Sequence, residues 1–174
     1  MAAEIDYGSA LHTLETGLLD DGRLFVFVDR KGIYGDRMTR KEFKHTKRVL
    51  KQVERITGVD IVIGSSRGFS NRSELDIIQA DPDNEPYGTV GVWSPETWGS
   101  IIAYEDFSGG VRSDDYIELS TITHEIGHAF GLDHPAGGGF DSRYDTGDTI
   151  MSYNDTGEIG FSQSDVQTLA TIWA

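Results

Sequence analysis

Three of the chain's five histidines fall within eleven residues, His124-Glu125-Ile126-Gly127-His128-Ala129-Phe130-Gly131-Leu132-Asp133-His134. The spacing H-E-x-x-H-x-x-G-x-x-H is that of a metal site built on a helix. His124 and His128 are four apart, so on a helix both imidazoles project from one face. With Leu119 as zero and about 100° per residue, Ile122, Ile126 and Phe130 fall within about 60° of it, and the two histidines at about 140° and 180°. The helix is therefore expected to bury one face and turn both histidines toward a cleft. A helical continuation would carry His134 round to about 60°, away from that cleft. Gly131 can take positive φ, end the helix and bring His134 back to the same metal.

Three imidazoles and one open position make the catalytic zinc arrangement, with water in the fourth place. Glu125 cannot share the direction of His124. It is placed to hydrogen-bond the zinc water and act as general base. Zinc lowers the pKa of its water toward about 7, so the carboxylate takes the proton with little penalty. The competing reading, a helix with surface histidines, suits a bare H-E-x-x-H better than the five fixed positions found here. Downstream, Thr149-Ile150-Met151-Ser152-Tyr153-Asn154 places Met151 where a Met-turn would put its thioether, as an apolar, adaptable floor beneath the ligands. Alone, such a methionine is core packing. His12 and His45 sit in polar contexts and read as surface residues.

The elements that must hold these groups are legible in part. Leu24–Val28 is a continuous apolar run that reads as a buried strand. Thr39–Thr57 reads as a helix, with a Thr39/Glu42 capping box, apolar residues at 43, 49, 50, 53 and 56, and Gly58 as its stop. Val59–Ile63 and Leu75–Ala80 are strand-like, with polar loops at 64–73 and Asp81–Pro86. Gly88–Val92 and Ser100–Tyr104 are further strand candidates. A second helix covers Asp114–Phe130, the Gly- and Asp-rich stretch 135–148 looks irregular, and a last helix starts at Ser162 with Asp165 as its box partner. That helix carries Val166, Leu169, Ala170 and Trp173 on one face. Residues 1–22 are weakly patterned and read as a flexible leader.

The 174 residues suit one domain. With 29 acids against 15 bases the net charge is −14, which argues against nucleic acid and against anionic membranes as partners. There are no cysteines, so disulfides, Cys-based zinc sites and thiol nucleophiles are excluded. No run of 18 apolar residues exists, and Met1-Ala2-Ala3-Glu4 shows no signal peptide.

Together these motifs resemble the metzincins, and among them the serralysin-like zinc endopeptidases. The resemblance runs from about Thr121 to the C-terminus. Pro135 after the third histidine, Met151-Ser152-Tyr153, and Phe161-Ser162-x-x-Asp165-Val166 leading into an apolar helix choose the subgroup. It implies an α+β fold of the zincin type: a twisted mixed sheet with two long helices in an upper subdomain (23–134), and an irregular lower subdomain (135–174) ending in a helix. It implies a monomer acting on protein or peptide substrates, and an extracellular location. It also implies that Tyr153 ligates the resting zinc and swings away to hydrogen-bond the tetrahedral intermediate; the alternative is a tyrosine packed under the loop. An edge strand normally pairs with extended substrate, and Ser100–Tyr104 is the candidate for it. The calcium-binding nonapeptide repeats usual in that family do not follow here, so export and calcium dependence do not carry over with them.

Two other readings stand beside this one. The chain could be a catalytically silent binding module stabilised by zinc or calcium; the intact Glu125 argues against it, because a structural zinc needs no base. Separately, some of the acids Asp106, Asp114, Asp115, Asp133, Asp141, Asp145, Asp148 and Asp155 could hold calcium, and Asp141, Asp145 and Asp148 beside a glycine-rich turn are the best candidates. A solvated acidic surface is the alternative.

Overall fold

The computed structural model describes residues 4–5, 22–80, 91–96, 99–105 and 115–174. It is a mixed arrangement of helices and small sheets, consistent with the α+β expectation. The strands are β1 (Glu4–Ile5), β2 (Arg23–Val28), β3 (Asp60–Gly64), β4 (Leu75–Ala80), β5 (Gly91–Glu96), β6 (Gly99–Glu105) and β7 (Leu132–Asp133). The helices are α1 (Arg40–Thr57), α2 (Arg67–Ser70), α3 (Asp115–Ala129) and α4 (Gln163–Ile172).

Five strands form one sheet in the order β3-β2-β4-β6-β5. β2 is parallel to β3 and β4, and β4 to β6, while β5 runs antiparallel to β6. The apolar run of β2 is buried on both faces, with Leu24, Val26, Phe27 and Val28 at most 1% exposed, as a strand inside a parallel sheet requires. α1 begins at the expected capping box and stops at Gly58, whose φ of 77° is left-handed. Its Val49, Leu50 and Val53 join β2, β4 and α3 in one core.

Several expectations need correction. Ser100–Tyr104 is a strand, but β6 lies inside the sheet. Among the described residues the edge on that side of the sheet is β5, joined to β6 by only two residues and laid antiparallel on its outside. The loop expected over 64–73 contains α2, which sets Phe69 against Phe25, ring centroids 5.9 Å apart. Within the expected flexible leader, Glu4 and Ile5 pair with Asp133 and Leu132 beside the third histidine. In α4, Ala170 is exposed, and Leu169 is buried together with Asp165 and Thr168. The expectations for Asp81–Pro86, 88–90, His12 and the rest of the leader, Asp106 and Asp114 lie outside the described residues.

Between Pro135–Gly137, a single 3-10 turn, and α4 the chain has no α-helix or strand. Side chains hold it instead. Asp165 is fully buried and accepts hydrogen bonds from Thr149 Oγ1, Ile150 N and Ser162 N, which fastens the Met151 turn to the start of α4. Ser152 Oγ and Asn154 Nδ2 both donate to the Tyr144 carbonyl. Trp173 Nε1 closes α4 onto the end of α3 through Phe130 O, at 3.0 Å.

Candidate metal centre and cleft

α3 buries Leu119, Ile122, Ile126 and Ala129 and turns His124 and His128 away from that face, as helical spacing requires. Gly131 then takes a φ of 98° and its N–H bonds the His128 carbonyl, which ends the helix and brings β7 and His134 back. The result is a cluster in which one nitrogen from each of His124, His128 and His134 lies within 4.8 Å of the others. Among the described residues it is the one group of three able to share an ion. His124 and His134 bring their Nε2 atoms to 3.2 Å.

The other ring nitrogens decide what those Nε2 atoms are. His124 Nδ1 donates to Ile150 O and His128 Nδ1 to Leu132 O, each at 2.9 Å. With the proton held at Nδ1, each Nε2 keeps a lone pair aimed inward, the arrangement metal-ligating histidines use. Burial, reinforced by the neighbouring His128, pushes His124 down to about 3, so it stays neutral at pH 7. Burial also lowers His134, against the pull of Asp133. Asp133 stands behind this ring, its Oδ1 3.6 Å from His134 Nδ1 and 2.7 Å from the His134 backbone N–H that donates to it. These donors suit a borderline metal ion, and the cluster can hold one.

No protein-family model matches the chain, and neither does any curated protein.

A cleft of about 520 Å³ opens beside the cluster. Its wall includes His124, Glu125 and Tyr153, and it also takes in β5 and α3 through Gly91, Ile117, Ser120 and Thr121. Glu125 is 5% exposed. A methyl group on Gly91 would come within 3.0 Å of its Cγ and Oε1, and within 2.4 Å of Thr121 Cγ2. Only glycine lets the edge strand run this close to the carboxylate.

Met151 is fully buried with its Sδ against Gly127, between the two helical histidines. Tyr153 is about half exposed and lies over the cluster, stacked on His124 (5.5 Å between centroids, 19° between planes) and 4.7 Å from His134. Its backbone N–H donates to Gly139 O, and a side chain at 139 would strike its ring at 2.3 Å. Burial, then the charges of Glu125 and Asp133, raise its pKa, which keeps the phenol a hydrogen-bond donor.

The remaining acids behave differently from the calcium expectation. Asp141 is taken up by Arg143 at 2.6 Å, and Asp145 and Asp148 accept backbone N–H groups of their own turn. The three do not converge on a common point.

His45 is a correction: it is 4% exposed, not a surface residue. Its Nδ1 faces Arg48 at 2.9 Å and its Nε2 faces Thr123 Oγ1 at 2.8 Å. Thr123 Oγ1 in turn lies 2.8 Å from Ile159 O, so α1, α3 and the lower segment meet at the residue preceding His124. Burial, then Arg48, lowers His45 to about 4. The roles of Gly91, Gly139, His45 and Asp165 are set by partners 14 to 78 residues away, at approaches no local pattern encodes. The Ser162/Asp165 box was the one partial signal.

Proposed function

We propose that the protein is a zinc-dependent endopeptidase of the metzincin type, serralysin-like, with 23–134 and 135–174 as the two sides of its cleft. One observation carries the reading: three imidazoles converge at the wall of a cleft that also holds a buried glutamate. Zinc–imidazole bonds of about 2.0–2.1 Å put two nitrogens of a tetrahedral site roughly 3.3 Å apart, and the His124 and His134 Nε2 atoms are 3.2 Å apart. Three protein ligands leave a position open, which favours a catalytic over a structural site.

Zinc held by His124, His128 and His134 would supply a Lewis acid and an acidified water. Glu125 takes the nucleophile's proton on its carboxylate, holds it away from bulk water, and returns it to the leaving nitrogen. Tyr153 donates its O–H where negative charge builds on the carbonyl oxygen. Met151 supports the histidines from below. An extended peptide pairs with the open edge of β5, whose Gly91 admits its backbone beside Glu125.

The test is cleavage of fluorogenic casein by the protein as prepared, after a zinc chelator, and after stoichiometric zinc is restored. Activity abolished and then recovered is the expected result. Folded, zinc-loaded protein that cleaves nothing would overturn the enzyme reading in favour of a silent binding module.

A further inference from the structure

The cleft does not end at the histidines. Ile117, Ser120 and Thr121 line it one and two turns N-terminal to His124, so it runs roughly 10 Å along α3 away from His128. Thr146, Ile150 and Asp155 line the same cleft. Ile117 and the largely buried Ile150 are the aliphatic residues of this lining. Asp155 is the only other carboxylate, besides Glu125, on the described walls, and none of the described lining residues is Lys or Arg.

Asp155 is held for this. Its Oδ1 accepts from Gly157 N at 2.7 Å and faces Thr146 Oγ1 at 3.5 Å, which fixes the carboxylate, and among the described residues Oδ2 takes no bond. The distribution of charge points the same way. Thirteen of the fifteen Lys and Arg residues fall between Arg23 and Arg72, and the rest of the chain, which supplies every described wall of the cleft, carries two bases and 24 acids.

We infer that this end of the cleft is a subsite for a lysine or arginine side chain, with the apolar stem along Ile117 and Ile150 and the cationic head at Asp155. The inference rests on the peptidase reading for its place in catalysis: Glu125 returns the proton to the leaving nitrogen, so the residue carrying that nitrogen lies on Glu125's side, where this arm opens. Asp155 is solvent-exposed, so the preference is moderate and screened by salt.

The experiment is digestion of a peptide mixture randomised around the cut, with the new N-terminal residues read by mass spectrometry. Lysine and arginine should be enriched about fivefold over leucine, more at low salt. Asp155→Asn, which keeps the Oδ1 acceptor, should bring the ratio near one and remove its salt dependence, and Asp155→Lys should invert it toward acidic residues. Chelator-sensitive cleavage with no such enrichment, or with a ratio Asp155→Asn leaves intact, overturns the subsite and spares the peptidase. If nothing is cleaved, the peptidase reading fails. The pocket is then judged by nuclear magnetic resonance titration with n-butylammonium against n-butanol. Shifts at Ile117 and Ile150 that favour the ammonium and are lost in Asp155→Asn support the cation site, and equal responses overturn it.

Discussion

Gly127 and Met151 touch: a methyl group on Gly127 would stand 2.9 Å from the Met151 sulfur and 3.3 Å from Leu132 Cδ1. Gly127 lies inside α3, where alanine is normally worth about 1 kcal/mol more than glycine. Overpacking a filled core costs about 1–3 kcal/mol. Gly127→Ala should therefore destabilise on balance, lowering Tm by a few degrees. In Met151→Ala, which opens the space, the same change should stabilise. Thermal melts of the four proteins in a double-mutant cycle check this. Additive effects would mean that the sulfur does not rest on α3.

Glu125→Gln should keep the metal and lose about 10²–10⁴-fold in kcat, the usual contribution of a positioned acid–base group. Metal content by mass spectrometry together with peptide turnover separates the two properties. Near-normal turnover would remove Glu125 from the role of base.

Tyr153→Phe should reduce kcat by about 10²–10³-fold and move KM little, because its hydrogen bond matters where charge develops. Gly139→Ala should have the same signature, since its methyl would displace the ring that Gly139 seats. A change confined to KM in either variant would instead place Tyr153 in ground-state binding.

His45 makes a pH prediction independent of the metal ligands. Its pKa is about 4 in the fold against 6.5 in an unfolded chain. Between those values the unfolded state binds more protons, so the contribution of His45 to stability falls as pH drops from about 6.5 to 4 and is constant above that window. His45→Gln should make the dependence of Tm on pH shallower across that window. Neighbouring charges that face His45 are Arg48 and Lys41, both cationic throughout, so they do not titrate with it. An unchanged slope in His45→Gln would assign the acid sensitivity to other groups.

The longer elements and the histidine cluster were legible in the sequence because they are local. Helical spacing puts His124 and His128 on one face, Gly131 supplies the left-handed turn that returns His134, and the capping boxes at Thr39 and Ser162 mark both helix starts. Continuous apolar character marked β2 as buried on both sides. Each of these rests on residues within a few positions of one another.

Tertiary structure alone decided the rest. Whether β5 or β6 forms the sheet edge depends on which side of β4 the pair is laid down, and the periodicity of each strand is the same either way. His45 reads as polar and exposed until α3 covers it and Thr123 meets its Nε2. Gly91 and Gly139 carry no pattern at all; they matter because Glu125 and Tyr153 arrive from elsewhere in the chain and leave no room for a Cβ. Spacing along a helix is set by backbone geometry and is written into the sequence, whereas close approach between distant segments is set by packing and appears only when the chain has folded.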